Sequence, residues 1–122
     1  MSTVFISNKS DAHDYSPASK FGAIRFVTSG NYPVFKTTRL QEEAIEALIY
    51  SKPSDYLLLS GSSLIAAVCL TVWLEMHGEA KILLWDRAND GYEERIITKK
   101  GVRLAIEEAR DQLGEAQLKT GT

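Results

Sequence analysis

Apolar residues along this chain fall into two patterns. Short runs at 3–7 (TVFIS), 56–59 (YLLL) and 81–86 (KILLWD) are bounded by turn residues. Runs of that length suit strands buried on both faces of a sheet. Residues 22–28 (GAIRFVT) alternate Ile24 and Phe26 with Ala23, Arg25 and Val27, which predicts another strand. Residues 92–98 (YEERIIT) form a more polar strand, with Glu93, Glu94 and Arg95, and belong nearer a sheet edge. Helical spacing appears twice. Over 38–51, Leu40, Ala44, Ile45, Ala47 and Leu48 share one face; over 102–118, Val102, Ala105, Ile106, Ala109 and Leu113 share another.

The chain is organised around 54–86, SDYLLLSGSSLIAAVCLTVWLEMHGEAKILLWD. This reads as strand, tight turn, apolar helix, strand, a βαβ unit whose strands are parallel. No residue from Leu64 to Leu74 is charged, so the helix needs cover on more than one side. Ser62 or Ser63 can cap its start. Gly78 suits its left-handed end. Thr38 with Gln41 has capping-box spacing, with Glu42 and Glu43 in the first turn of that helix. The residues 87–91 (RANDG) are a hairpin signal in which Gly91 supplies a positive φ. A polar loop covers 8–20, and Val34-Phe35-Lys36 adds a short extended piece. Gly114 frays the end of the last helix, and 119–122 form a loose tail. The expected order is β-β-α-β-α-β-β-α: one α/β domain over 1–122, with a mixed, mostly parallel sheet around the βαβ core.

Composition narrows function by exclusion. At 122 residues the chain can bury a core without staples. A formal charge of -2 gives no overall pull toward nucleic acid or an anionic membrane. The apolar helix is far shorter than the ~20 residues of a membrane span. The single cysteine, Cys69, lies within that helix and permits no internal disulfide. With no basic, apolar leader at the N-terminus, the expected location is the cytoplasm.

Candidate chemistry is sparse. The Ser60-Gly61-Ser62-Ser63 turn joins a strand end to a helix start, where α/β sheets bind ligands and free N–H groups suit an anion. It carries no GK[ST], GxGxxG or GxSxG pattern, and plain capping is its simpler reading. Asp11, His13 and Asp14 are metal-capable residues in a loop whose simpler reading is solvation. His77 suits a helix C-terminus. Ser60, His77 and Asp86 supply the residue types of a triad, as chance does in most chains. Lys99, Lys100 and Arg103 begin the last helix, where cations oppose the dipole; an anion or acidic partner would relieve this, as would nearby Glu93 and Glu94. No catalytic residue, metal ligand or cofactor is assigned.

The segments FGAIRFVTSGNYPVFKTT, DYLLLSGSSLIAAVCLTVWLEMHG and AKILLWDRANDGYEERII, spanning Phe21 to Ile97, resemble a group of small single-domain bacteriophage proteins. That resemblance implies an accessory protein acting by binding or assembly, in the host cytoplasm, and transfers no site residue. The expected function is a non-enzymatic interaction protein, homodimeric, with a further protein partner open. Trp73 is expected at the middle of the two-fold contact, because the apolar helix has more apolar surface than one sheet covers. The alternative is a domain that binds a ligand or anion, or hydrolyses one, at the 60–63 turn.

Overall fold

The structure, a computed structural model, describes residues 2–33 and 36–120. The extended piece expected at Val34 and Phe35, and the end of the expected tail, Gly121 and Thr122, lie outside them. The elements are β1 (Thr3–Lys9), a 3₁₀ helix (Ser16–Phe21), β2 (Ala23–Ser29), α1 (Thr37–Leu48), β3 (Tyr56–Leu58), α2 (Ser63–His77), β4 (Glu79–Asp86), β5 (Gly91–Thr98) and α3 (Lys99–Thr120). Apart from the 3₁₀ helix in the first loop, this is the expected order.

The five strands form one mixed sheet in the order β2-β1-β3-β4-β5. The first four are parallel, and β5 returns antiparallel to β4. Successive side chains alternate between faces. Phe5, Leu57 and Ile82 therefore pack with Leu40, Ala44 and Leu48 of α1 and Ile65, Cys69 and Trp73 of α2. Val4, Ile6, Leu58 and Leu83 face the other way, onto Tyr15 and Ala18 at the 3₁₀ helix. Both faces of the inner strands are covered, so they read as continuous apolar runs rather than as an alternation. The connection out of β1 runs over one face and those out of β2 and β3 over the other. Right-handed crossovers running in opposite directions along the sheet require that arrangement. Asp55, buried just before β3, accepts from the backbone N–H of Thr3 at 2.8 Å and of Lys52 at 2.8 Å, and so ties β1 to β3.

α2 begins and ends as its sequence predicts. Ser62 accepts from Ile65 N–H at 3.3 Å, and Gly78 takes the left-handed conformation, φ 77°. The residues it buries are Ile65, Cys69 and Trp73, one every four positions. Trp73 is fully buried inside a single chain, edge-on to Phe5 at 5.7 Å and to His77 at 5.2 Å. The expectation that Trp73 lies at a two-fold contact is therefore corrected. Its spacing from Ile65 and Cys69 puts it on the sheet-facing stripe, out of reach of a mate. The surface of α2 left open is instead Leu64, Ala67 and Thr71, with Val68, Val72 and Met76 half-buried beside them.

Local signals were misread in three places. α1 starts at Thr37 with Lys36 as N-cap and no side-chain cap. Thr38 is already inside the helix, so the capping box does not form, and Glu42 and Glu43 fall beyond the first turn. In the hairpin, Asp90 and not Gly91 takes positive φ, 50°. A short polar side chain tolerates that conformation, and Gly91 opens β5. The largest difference is α3. Thr98 caps it, its hydroxyl accepting from Gly101 N–H at 2.9 Å. The helix then continues through Gly114 to Thr120, so Gly114 does not end it and residues 119–120 are helical. Every residue from Lys100 to Leu113 is exposed, including the expected core face. The helix follows an edge strand and is held at its root: Lys99 N–H donates to Gly78 C=O at 2.9 Å, and Lys99 Nζ pairs with Glu75 at 2.7 Å.

Candidate functional site

Two places remain for function. The first is the crevice where the chain leaves β1 toward one face of the sheet and leaves β3 toward the other. Such a switch point is where open α/β sheets take ligands. Ser7 at the end of β1 bonds both backbone groups of Ser60: its hydroxyl donates to the Ser60 C=O and accepts from the Ser60 N–H at 2.7 Å. Tyr15, also buried, donates its one proton to Asn8 C=O at 3.2 Å and accepts from Ser10 N–H at 2.9 Å. Its oxygen lies 2.8 Å from Ser60 Oγ, so with the phenol proton committed the serine hydroxyl donates to it. Gly61 sits at φ +92°, and a Cβ there would come within 2.6 Å of Asn8 Cβ, so glycine is required by both backbone and space. Ser62 is the cap of α2. Ser63 is its first residue and is exposed.

The hydroxyls of Ser60 and Ser62 and the backbone of Ser60 are thus already committed to the fold. A cavity of about 500 Å³ lies beside it, lined among others by His13, Asp14, Tyr15, Trp85, Arg87 and Tyr92. Trp85 and Tyr92 meet edge-on at 5.0 Å. Burial, then the neighbouring Tyr15 and Asp14, hold the Tyr92 phenol above its ordinary value. The Asp14 carboxylate accepts from Ser16 N–H at 3.0 Å, and that bond to Ser16 lowers its pKa. Asp11, His13 and Asp14 do not converge: among the described residues no three His, Cys, Asp or Glu side chains are grouped to hold a metal ion. Ser60 follows β3 and Asp86 ends β4, both at the carboxyl ends of the parallel strands. His77 ends α2 at the opposite, amino ends of those strands, bonded to Ser51 Oγ at 2.8 Å, so no triad forms.

The second place is the helical layer. A groove of about 570 Å³ runs between α1 and α2, lined by Ile45 and Ile49 on one side and Val68, Val72 and Met76 on the other. Ile45, expected in the core, is 47% exposed and opens onto it. A second gap, about 390 Å³, separates α2 and β5 from α3, with Leu74, Ile97, Val102 and Ile106 on its walls. The three cations at the start of α3 are not gathered into one site. Lys99 and Arg103 face this gap, whereas Lys100 lies on the other side of the helix with Gly101 and Leu104. No described helix is long and apolar enough to cross a membrane.

The family model for the phage Pam3 gp32-like protein matches residues 2–98. The chain belongs to that phage family. The matched part ends with the last residue of β5, and α3 follows it directly. No curated protein and no solved structure matches the chain.

Two of these features escaped sequence reading. Tyr15, Trp85, Arg87 and Tyr92 come together only because β4 and the loop after β1 are neighbours, which no local spacing signals. The groove has one signal in the sequence, the second apolar stripe of α2, which runs through Val68, Val72 and Met76 and not through Trp73.

Proposed function

We propose that this member of the Pam3 gp32-like family is a non-enzymatic accessory protein of the phage that works in the host cytoplasm by self-association through its helical layer. The observation that carries this reading is the amount of apolar helical surface a single chain leaves in water: Ile49 at 53%, Val102 at 51%, Ile106 at 44% and Leu113 at 59% exposure. Ile49 belongs to the α1–α2 groove and the other three to α3, and exposed apolar patches of this kind mark interaction sites. The alternative, ligand or anion binding with or without hydrolysis at the 60–63 turn, has less support. The hydroxyls of Ser60 and Ser62 and the space behind Gly61 already serve the fold. Sedimentation velocity of the full chain at micromolar concentration tests the reading. An oligomer is expected, and a protein that stays monomeric at tens of micromolar overturns it.

A further inference from the structure

We propose that α3 of one copy docks in the α1–α2 groove of a second copy; the inference rests on the self-association reading and names its two halves. α3 carries Val102, Ile106, Ala109 and Leu113 at spacings of four, three and four, the pattern of a helix–helix seam. That stripe is about 16 Å long at 1.5 Å per residue. The groove walls, Gln41 to Ile49 on α1 and Ala67 to Met76 on α2, are about 12–14 Å long by the same measure. Stripe and groove are both apolar and exposed, and the stripe is longer by about 2–4 Å.

Charge selects this pairing over α3 on α3. One flank of the stripe carries Arg103 and Arg110, and the other Ala105 and Gln112. Two antiparallel α3 helices that match Val102 to Leu113 of the mate set Arg103 beside Arg110, like against like. A parallel pair offers Arg110 only Ala105. The groove has the opposite sign. On α1 the residues next around from Ile45 and Ile49 are Glu42 and Glu46; Glu75 on the α2 rim is already paired with Lys99. The one cation on that outer side of α1, Arg39, is paired with Glu43 at 3.1 Å. Arg103 and Arg110 therefore meet Glu42 and Glu46 when the stripe lies in the groove.

The groove cannot belong to the same chain. The root of α3 is fixed to Gly78 and Glu75 at the end of α2, and Val102 and Ile106 line an open gap beside Leu74 and Ile97, on the side of α2 away from α1. Its own α2 stands between. Exchange between two copies about a two-fold axis makes the contact twice.

Two full-length double variants test the assignment by sedimentation velocity: Ile106→Glu with Leu113→Glu breaks the stripe, and Ile45→Glu with Ile49→Glu breaks the groove. All four positions are exposed, and circular dichroism checks that each variant is folded. Each alone is expected to weaken association at least about tenfold. An equimolar mixture is expected to regain a dimer, because the intact stripe of one meets the intact groove of the other. A groove variant that still self-associates like the native chain, or a mixture that remains monomeric, overturns the docking while leaving self-association standing. A native chain that is itself monomeric overturns both.

Discussion

α2 and α3 present the same signal, apolar residues at helical spacing, and meet opposite fates. Ile65, Cys69 and Trp73 are sealed in the core, while Val102, Ile106 and Leu113 stand in water. The difference lies in what holds each helix. α2 has a parallel strand at either end, and both strands sit inside the sheet, so its path across the face is fixed from two sides. α3 leaves an edge strand, and among the described residues its hydrogen bonds and ion pair to the body lie at its root. Spacing therefore identifies which residues share a face; the chain's connections decide whether anything in the same molecule covers it.

The contrast can be broken most directly at Trp73. Trp73→Ala is expected to cost about 3–5 kcal/mol, read as a lower denaturation midpoint in urea. Ile106→Ala, on the open stripe, is expected to leave that midpoint within about 0.5 kcal/mol at concentrations where the chain is monomeric. Next in size is Cys69. Burial pushes its thiol up to about 12, so the native protein at pH 8 should resist a thiol reagent that labels the denatured chain within its mixing time. Cys69→Ser should cost roughly 1–3 kcal/mol by burying an unpaired hydroxyl. Hydrogen exchange sharpens the comparison without mutation. In dilute protein the amides of α2 should open only with global unfolding, and those of α3 past its first turn by local fraying.

The smallest effect concerns the α3 root. Lys99 beside Glu75, by its hydrogen bond and then its charge, holds that carboxyl below its ordinary value. The pair therefore favours the folded chain above the ordinary carboxylate range, and its contribution is lost as pH falls through the lowered pKa. Glu75→Gln should reduce the melting temperature slightly at neutral pH, and the gap to the native chain should close under acid.

The βαβ core, the edge position of β5 and the ends of α2 were legible in sequence because local chemistry dictates them: buried strands are uniformly apolar, Ser62 caps, and Gly78 turns left-handed. The start of α1 was not, since Thr37 and Thr38 offer the same side chain at adjacent positions. Nor was the burial of Trp73, because α2 is apolar nearly all round and offers several equivalent stripes to the sheet. The residues around the β1–β3 crevice escaped for another reason. Tyr15 and Ser60 are 45 positions apart, and only the strand order makes them neighbours.

The central place of β1 has a consequence in time. β1 precedes both of its neighbours in sequence yet lies between β2 and β3, and it closes on β3 through bonds that span 52 or 53 residues, at Ser2 to Ser54, Thr3 to Asp55 and Ser7 to Ser60. On the ribosome this edge of β1 must wait, with Phe5 lacking its helical cover, until β3 and the helices beside it have emerged. Contacts of such separation slow folding, and refolding of the isolated chain is expected over roughly milliseconds to seconds rather than microseconds. α3, which follows the whole sheet in sequence, takes no part in that wait.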